Sequence, residues 1–316
     1  MIRPSTAPAT AGVLLGAVLL GLTGCATPQV AALLARSPAT MPARVELTGV
    51  PFYPQEEYQC GPAALATVLV HAGVATTPEA LVPQVYLPGR EGSLQPEMLA
   101  AARRHGRVAY RLAPRLEDVL REASDGTPVI ALQNLALDFA PLWHYAVVIG
   151  YDLPREEIIL RSGTTSRAVM KLSTFERTWA RGEHWAMLAL APERLPATAD
   201  EDRYVVAIAA LERVAPAAAR RAYSAAIERW PGNLAARIGQ GNAAYALRDL
   251  PGAEAAYREA TRRHPRAADA WNNLAQTLLE LRQREEALAA AQRAVDIGGP
   301  RLDQYRATLQ AIAESR

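Results

Sequence analysis

Apolar positions change their spacing twice along this chain. After residue 60, Leu65, Val68, Leu69 and Ala72 recur at helical intervals, and Gly73 follows as a stop. Thr77-Pro78-Glu79 supplies a cap and first turn for a second, short helix. "LQPEMLAAARRHG" predicts a third helix ending at Gly106, and "RLEDVLREASDG" a fourth ending at Gly126. The period then shortens. "PVIALQNL" and "HYAVVIGYD" read as strands, followed by "EIILRSG" and "HWAMLAL". Helices followed by an antiparallel sheet make an α+β pattern. "APERLPATAD", residues 191 to 200, reads as a linker by its two prolines. Beyond it the chain turns to Ala, Arg, Glu and Leu, and a 34-residue period begins: Ala226, Ala260 and Ala294 share it, as do Tyr223 with Tyr257 and Pro231 with Pro265.

That period, with small residues where paired helices must cross, is the spacing of tetratricopeptide (TPR) repeats. "ADAWNNLAQTLLELRQREEALAAAQRAVDIG" resembles the repeat consensus closely. The expected units are 199–232 (degenerate), 233–266 and 267–300, with residues 301–316 as a capping helix in a domain spanning 199–316. Three stacked units are about the minimum for such an all-α solenoid, whose groove takes up a protein partner.

Composition narrows the classes. Half of the residues are hydrophobic and the formal charge is +2, with no basic stripe, which argues against nucleic acid as a partner. Of the 34 basic residues only Lys171 is a lysine. The N-terminus runs apolar from Ala11 to Leu22, too short to span a bilayer comfortably, which needs about 20 residues, and suited to a signal peptide. It ends in Leu22-Thr23-Gly24-Cys25, which resembles a bacterial lipoprotein box. The resemblance implies a signal peptide over 1–24 and a lipidated Cys25 that anchors the chain to a membrane; Pro28, Pro38, Pro42 and small residues make 25–44 read as a tether. Ala26 in the next position implies the outer membrane, facing the periplasm.

With Cys25 lipidated, Cys60 has no intramolecular partner. An unpaired thiol in an oxidising compartment calls for a reason. Cys60-Gly61-Pro62 stands at the start of a helix, where the backbone field favours thiolate. Among five histidines, His71 lies too far along the same helix, His105 ends an Arg-rich helix, His264 falls in the repeats and His184 has no distinctive setting. His144 opens an apolar strand and is the strongest candidate for a general base.

"VPFYPQEEYQCGPAALATVL" followed by "HYAVVIGYD" resembles the papain-like cysteine peptidases of the bacteriocin-processing (double-glycine leader) family. "EGSLQPEMLAAARRHG", "DGTPVIALQNL" and "LSTFERTWARGEHWAMLAL" extend the likeness over residues 45 to about 191. It implies an α+β papain-like cysteine peptidase domain over 45–191, a linker over 192–198 and the TPR solenoid beyond. It also implies a peptide or protein substrate, Cys60 as nucleophile, His144 as general base and Gln55 as oxyanion donor. Gln55 stands five residues before Cys60, where many papain-type sequences place the glutamine six before.

The third catalytic member departs from the family. Eight strand residues separate His144 from Asp152, roughly 26 Å at the strand rise, so Asp152 belongs to a hairpin turn. Folding that hairpin puts residues 162–165 opposite His144, where the family usually supplies Asp and this chain reads Ser162-Gly163-Thr164-Thr165. Ser162 or the amide of Asn134 orients the ring, or the site works as a dyad; the loop residue Asp138 cannot be placed. No metal-ligand spacing and no phosphate-cradling loop is read, so no cofactor is expected. Two further readings stay open: a degenerate scaffold that only binds peptides, and acyl transfer on the same thioester chemistry.

Overall fold

The computed structural model describes residues 27–36, 41–54 and 59–315. The proposed signal peptide over 1–24, Cys25 and Gln55 lie outside the described residues. No helix among the described residues is long and apolar enough to cross a membrane.

The first half is built on a seven-stranded antiparallel sheet. Its strands are β1 (Arg44–Glu46), β2 (Val108–Arg111), β3 (Val129–Asn134), β4 (Trp143–Asp152), β5 (Glu157–Ser162), β6 (Thr165–Lys171) and β7 (Ala186–Leu190), in the order β2-β7-β3-β4-β5-β6, with β1 paired to the end of β4. β3 and β4 are near-continuous apolar runs because helices cover both faces. One face carries α2 (Cys60–His71), α3 (Pro78–Val85) and α4 (Gln95–Arg104), whose Leu65, Leu69, Leu81 and Met98 pack on Tyr145, Val147 and Ile149. The other carries α1 (Pro28–Arg36), α5 (Leu116–Ser124) and α6 (Leu172–Arg181), whose Val119, Phe175 and Trp179 pack on Ala146 and Val148. Alternate residues of β4 thus feed separate cores, as the period of two requires.

The second half is all helix. α7 (Glu201–Glu212) and α8 (Pro216–Arg229) form the first pair, α9 (Leu234–Ala246) and α10 (Leu250–Arg263) the second, α11 (Ala268–Glu280) and α12 (Arg284–Ile297) the third, and α13 (Leu302–Glu314) closes the stack. Small residues sit where helices cross: Ala253, Ala275, Ala287 and Ala291 are buried together, and a Cβ on Gly241 would collide with the Tyr257 ring. The α+β domain followed by an all-α repeat stack is the expected fold class.

One expected segment is corrected. Residues 25–44 were to be an extended tether, but Pro28–Arg36 is a docked helix with Val30 and Leu33 buried. Pro28 takes the first position of the helix, where a missing N–H costs nothing. The freed amides of Gln29 and Val30 donate to the buried Glu176 carboxylate at 2.9 and 2.7 Å. Residues 192–198 connect β7 to α7 and are pinned to the sheet domain. The amides of Ala197 and Thr198 and the Thr198 hydroxyl donate to Glu122 of α5, itself fully buried. Beyond them Tyr204 and Ile208 of α7 enter the core that holds Tyr110, Leu188 and Leu190 of the sheet. The Tyr110 and Tyr204 rings lie 6.1 Å apart.

Tyr204→Ala removes an aromatic side chain that is wholly buried between the halves. It is expected to cost about 3–5 kcal/mol and to lower the melting of sheet and repeats together. Near-UV circular dichroism, which sees Trp179 and Trp185, and far-UV helicity should shift in step; a sheet signal that stays put would show that the halves melt apart.

Candidate active site

α2 begins at Cys60, immediately after Gln59. Pro62 falls in its first turn, where it breaks no hydrogen bond. Gly61 is required by contact: a Cβ there would overlap Ser93, whose own Cβ would stand 2.5 Å away. The front of α2 is therefore pressed against the segment that leads into α4, and residues 61–69 are buried.

β4 starts half-exposed at Trp143 and His144 and then submerges. His144 is registered against Gln133 of β3. On its other side β5 and β6 join through a tight turn in which Ser162 pairs with Thr165 and Gly163 takes a φ of +57°. This hairpin brings the Ser162 Oγ to 2.8 Å from His144 Nε2.

Cys60 and His144 line one cleft of about 820 Å³, with Ser93, Trp143 and Tyr145 among its walls. Among the described residues no hydrogen bond joins the sulfur to the ring; catalytic bonds are often long without substrate. Burial pushes the Cys60 thiol up, against a downward pull from the backbone amides of Tyr145, Gly61 and Cys60 itself. Burial also pushes the His144 imidazole down. Both shifts favour the neutral forms of the pair. This corrects the expectation that the helix start lowers the thiol pKa: the amides act in that direction, but the sulfur sits against the apolar core beside Tyr145, and desolvation outweighs them.

The remaining candidates separate cleanly. Asn134 does not reach the ring; its Oδ1 accepts from the amides of Ala136 and Leu142 at 3.0 and 2.9 Å and closes the loop between β3 and β4. That loop raises Leu135, Leu142 and Trp143 as an apolar wall of the cleft, with Phe139 86% exposed at its tip and Asp138 beside it. Asp152 lies at the far end of β4, ion-paired to Arg44 at 2.9 Å and accepting from the Arg155 amide at 3.1 Å. His71 bonds the Gly126 carbonyl, His105 approaches Gln84 and His184 meets Trp179 edge-on. His264 is in the repeats, its Nε2 buried without a partner.

Sequence reasoning missed Ser93 and Tyr145. The Tyr145 hydroxyl donates to the Ser93 carbonyl at 3.2 Å and ties β4 to the segment packed over Gly61. Burial, with Cys60 and Glu97 nearby, pushes its phenol up. Adjacency to His144 was the only available signal for Tyr145, and nothing marked Ser93.

Residues 47–187 match the model of the Peptidase_C39 like family, and residues 204–260 and 238–301 match the tetratricopeptide repeat model. The search of curated proteins found no match. Among solved structures, similarity is found to a Bacillus anthracis protein described as a C39-like peptidase, at 20% identity over 46% of this chain and 97% of that one, TM-score 0.40. A double glycine motif protease from an AMS/PCAT transporter, solved with its leader peptide, is similar at 23% identity over 44% of this chain and 89% of that one, TM-score 0.34. The TPR2B domain of yeast Sti1, solved in a pHsp70 complex, is similar at 16% identity over 37% of this chain and 95% of that one, TM-score 0.34. The chain carries a Peptidase_C39-like domain followed by TPR repeats.

The raised thiol pKa has a direct readout. Below that pKa the thiolate fraction of Cys60 is smaller than in a free cysteine peptide, so iodoacetamide should label Cys60 more slowly at pH 7. The labelling rate should climb with pH through a midpoint above that of the peptide. A plateau already reached below pH 7 would contradict a desolvated thiol.

Proposed function

We propose that this chain is a cysteine peptidase that cleaves a peptide or protein substrate at Cys60, with the TPR repeats recruiting a partner or the substrate itself. The observation that carries the reading is the meeting, in one cleft, of the thiol that starts α2 and the imidazole that starts β4, with a hydroxyl on Nε2 of the ring. The C39-like match supports the same chemistry.

With Nε2–H donated to Ser162 Oγ, Nδ1 of His144 carries the lone pair. It takes the proton from Cys60, and the sulfur attacks the substrate carbonyl carbon. The resulting oxyanion draws on backbone amides at the start of α2 and, by family resemblance, on Gln55. The imidazolium then protonates the leaving amine as the C–N bond breaks, leaving a thioester. Water, deprotonated by the same imidazole, releases the acid and restores the thiol. Burial favours the neutral form of both groups, so proton transfer accompanies the attack. An amine in place of water would turn hydrolysis into acyl transfer.

A lipid anchor at Cys25 and a periplasm-facing outer-membrane location belong to this proposal. They rest on the Leu22-Thr23-Gly24-Cys25 sequence and on Ala26 after it. Cys25 precedes Pro28 by three residues, so the anchor would stand next to a helix fastened by Glu176. Substrate and enzyme held at one membrane meet at raised effective concentration. A second reading, a scaffold that binds peptides without cleaving them, draws on the hydroxyl that stands where the family usually has a carboxylate.

Cys60→Ala should abolish peptide turnover while leaving the melting temperature within a few degrees of the parent. Full biological activity in that variant would establish the scaffold reading. Ser162→Ala removes one neutral hydrogen bond, worth about 1 kcal/mol, so kcat should fall roughly tenfold at most with KM little changed. Asp152→Asn should leave kcat/KM intact; a loss of several hundredfold would place a carboxylate role at the far end of β4.

A further inference from the structure

A second cavity, of about 400 Å³, lies where the sheet domain meets the first repeat helix. Arg103 of α4, Arg111 of β2 and Arg203 of α7 line it, with Glu183 and His184 from the turn between α6 and β7 and with Val206 of α7. Three guanidiniums therefore face one carboxylate. Burial holds the His184 ring below its usual range, so it adds little charge. None of the three arginines has an ion-pair partner among the described residues. The Nε of Arg103 is buried with no acceptor, an unmet donor that desolvation penalises. Other arginines of the chain are matched: Arg258 with Glu254 and Glu286, and Arg262 and Arg263 with Glu259.

Glu183 ties this cavity to the catalytic cleft, because it lines both. A polypeptide laid past Cys60 and over Glu183 would enter the ring of arginines. Guanidinium forks match carboxylates bidentately, and the apolar Val206 offers a surface for the side-chain methylenes. We propose that this inter-domain cavity is a subsite for an acidic stretch, carrying one or more Asp or Glu side chains, of the same polypeptide whose scissile bond enters the Cys60 cleft. The cleavage part of this inference rests on the peptidase reading; the capture of carboxylates does not. The site takes residues from both halves of the chain, which gives the first repeat a part in substrate choice.

The test is binding by the full chain carrying Cys60→Ala, so that no turnover intervenes. Two fluorescein-labelled decapeptides that differ only in a central Glu-Glu-Glu or Gln-Gln-Gln are compared by fluorescence anisotropy. The acidic peptide should bind at least tenfold more tightly, the margin should shrink with added salt, and Arg111→Gln with Arg203→Gln should erase it. Both arginines are exposed, so melting temperature controls for folding, and Arg111→Gln alone should remove part of the margin. Equal binding of the two peptides, or an unchanged margin in the double variant, overturns the proposal. So does complete displacement of the acidic peptide by inorganic phosphate at equal concentration, which would mark a small-anion site. Retained acidic preference without turnover by the parent chain would sink the peptidase reading alone. Turnover without acidic preference would sink this subsite alone.

Discussion

The packing of the front of α2 against β4 is the contact on which the site depends. It half-buries Cys60 beside Tyr145 and sets the neighbouring His144 in the same cleft. It is also what opposes ionisation, since the sulfur gives up water in exchange for a few backbone amides. A helix start is an electrostatic asset only where its field is not outweighed by desolvation, and here desolvation is the larger effect. Reactivity then has to come from proton transfer to His144 as substrate displaces the remaining solvent.

Orientation of the ring is a matter of strand register. β5 returns along β4 with an irregularity between Val148 and Gly150, and the turn into β6 falls at Gly163. Those two features deliver the hydroxyl of Ser162 to His144 Nε2. A hydroxyl can both accept from and donate to an imidazole, so it fixes direction without adding the negative charge that would stabilise an imidazolium. A group of this kind positions the ring but does not raise its pKa, in keeping with the downward shift caused by burial.

Much of this was legible in the sequence, and the misses have physical causes. The helices after Cys60 and the strands β3, β4, β5 and β7 follow from apolar periodicity and from glycines placed as stops. β1 spans three residues, too few for a period to emerge. β6 is an edge strand whose solvent-facing Thr165, Ser166 and Arg167 hide its alternation. α1 was read as tether because Pro28 and small residues suggest a spacer, and its cap comes from Glu176, 146 residues beyond Val30. The separation of Asp152 from His144 needed only the rise of a strand. The balance of desolvation against amides at Cys60, by contrast, depends on how closely β4 covers the sulfur, and no one-dimensional pattern encodes that.

The core shared by Tyr110 and Tyr204 makes the solenoid an extension of the sheet, not an appendage swinging from it. β2, which carries Tyr110, is joined through β7 to β3, the strand beside His144. The first repeat helix is thus part of the wall of the sheet domain, and stripping it away would bare Tyr110 and Leu188 to water.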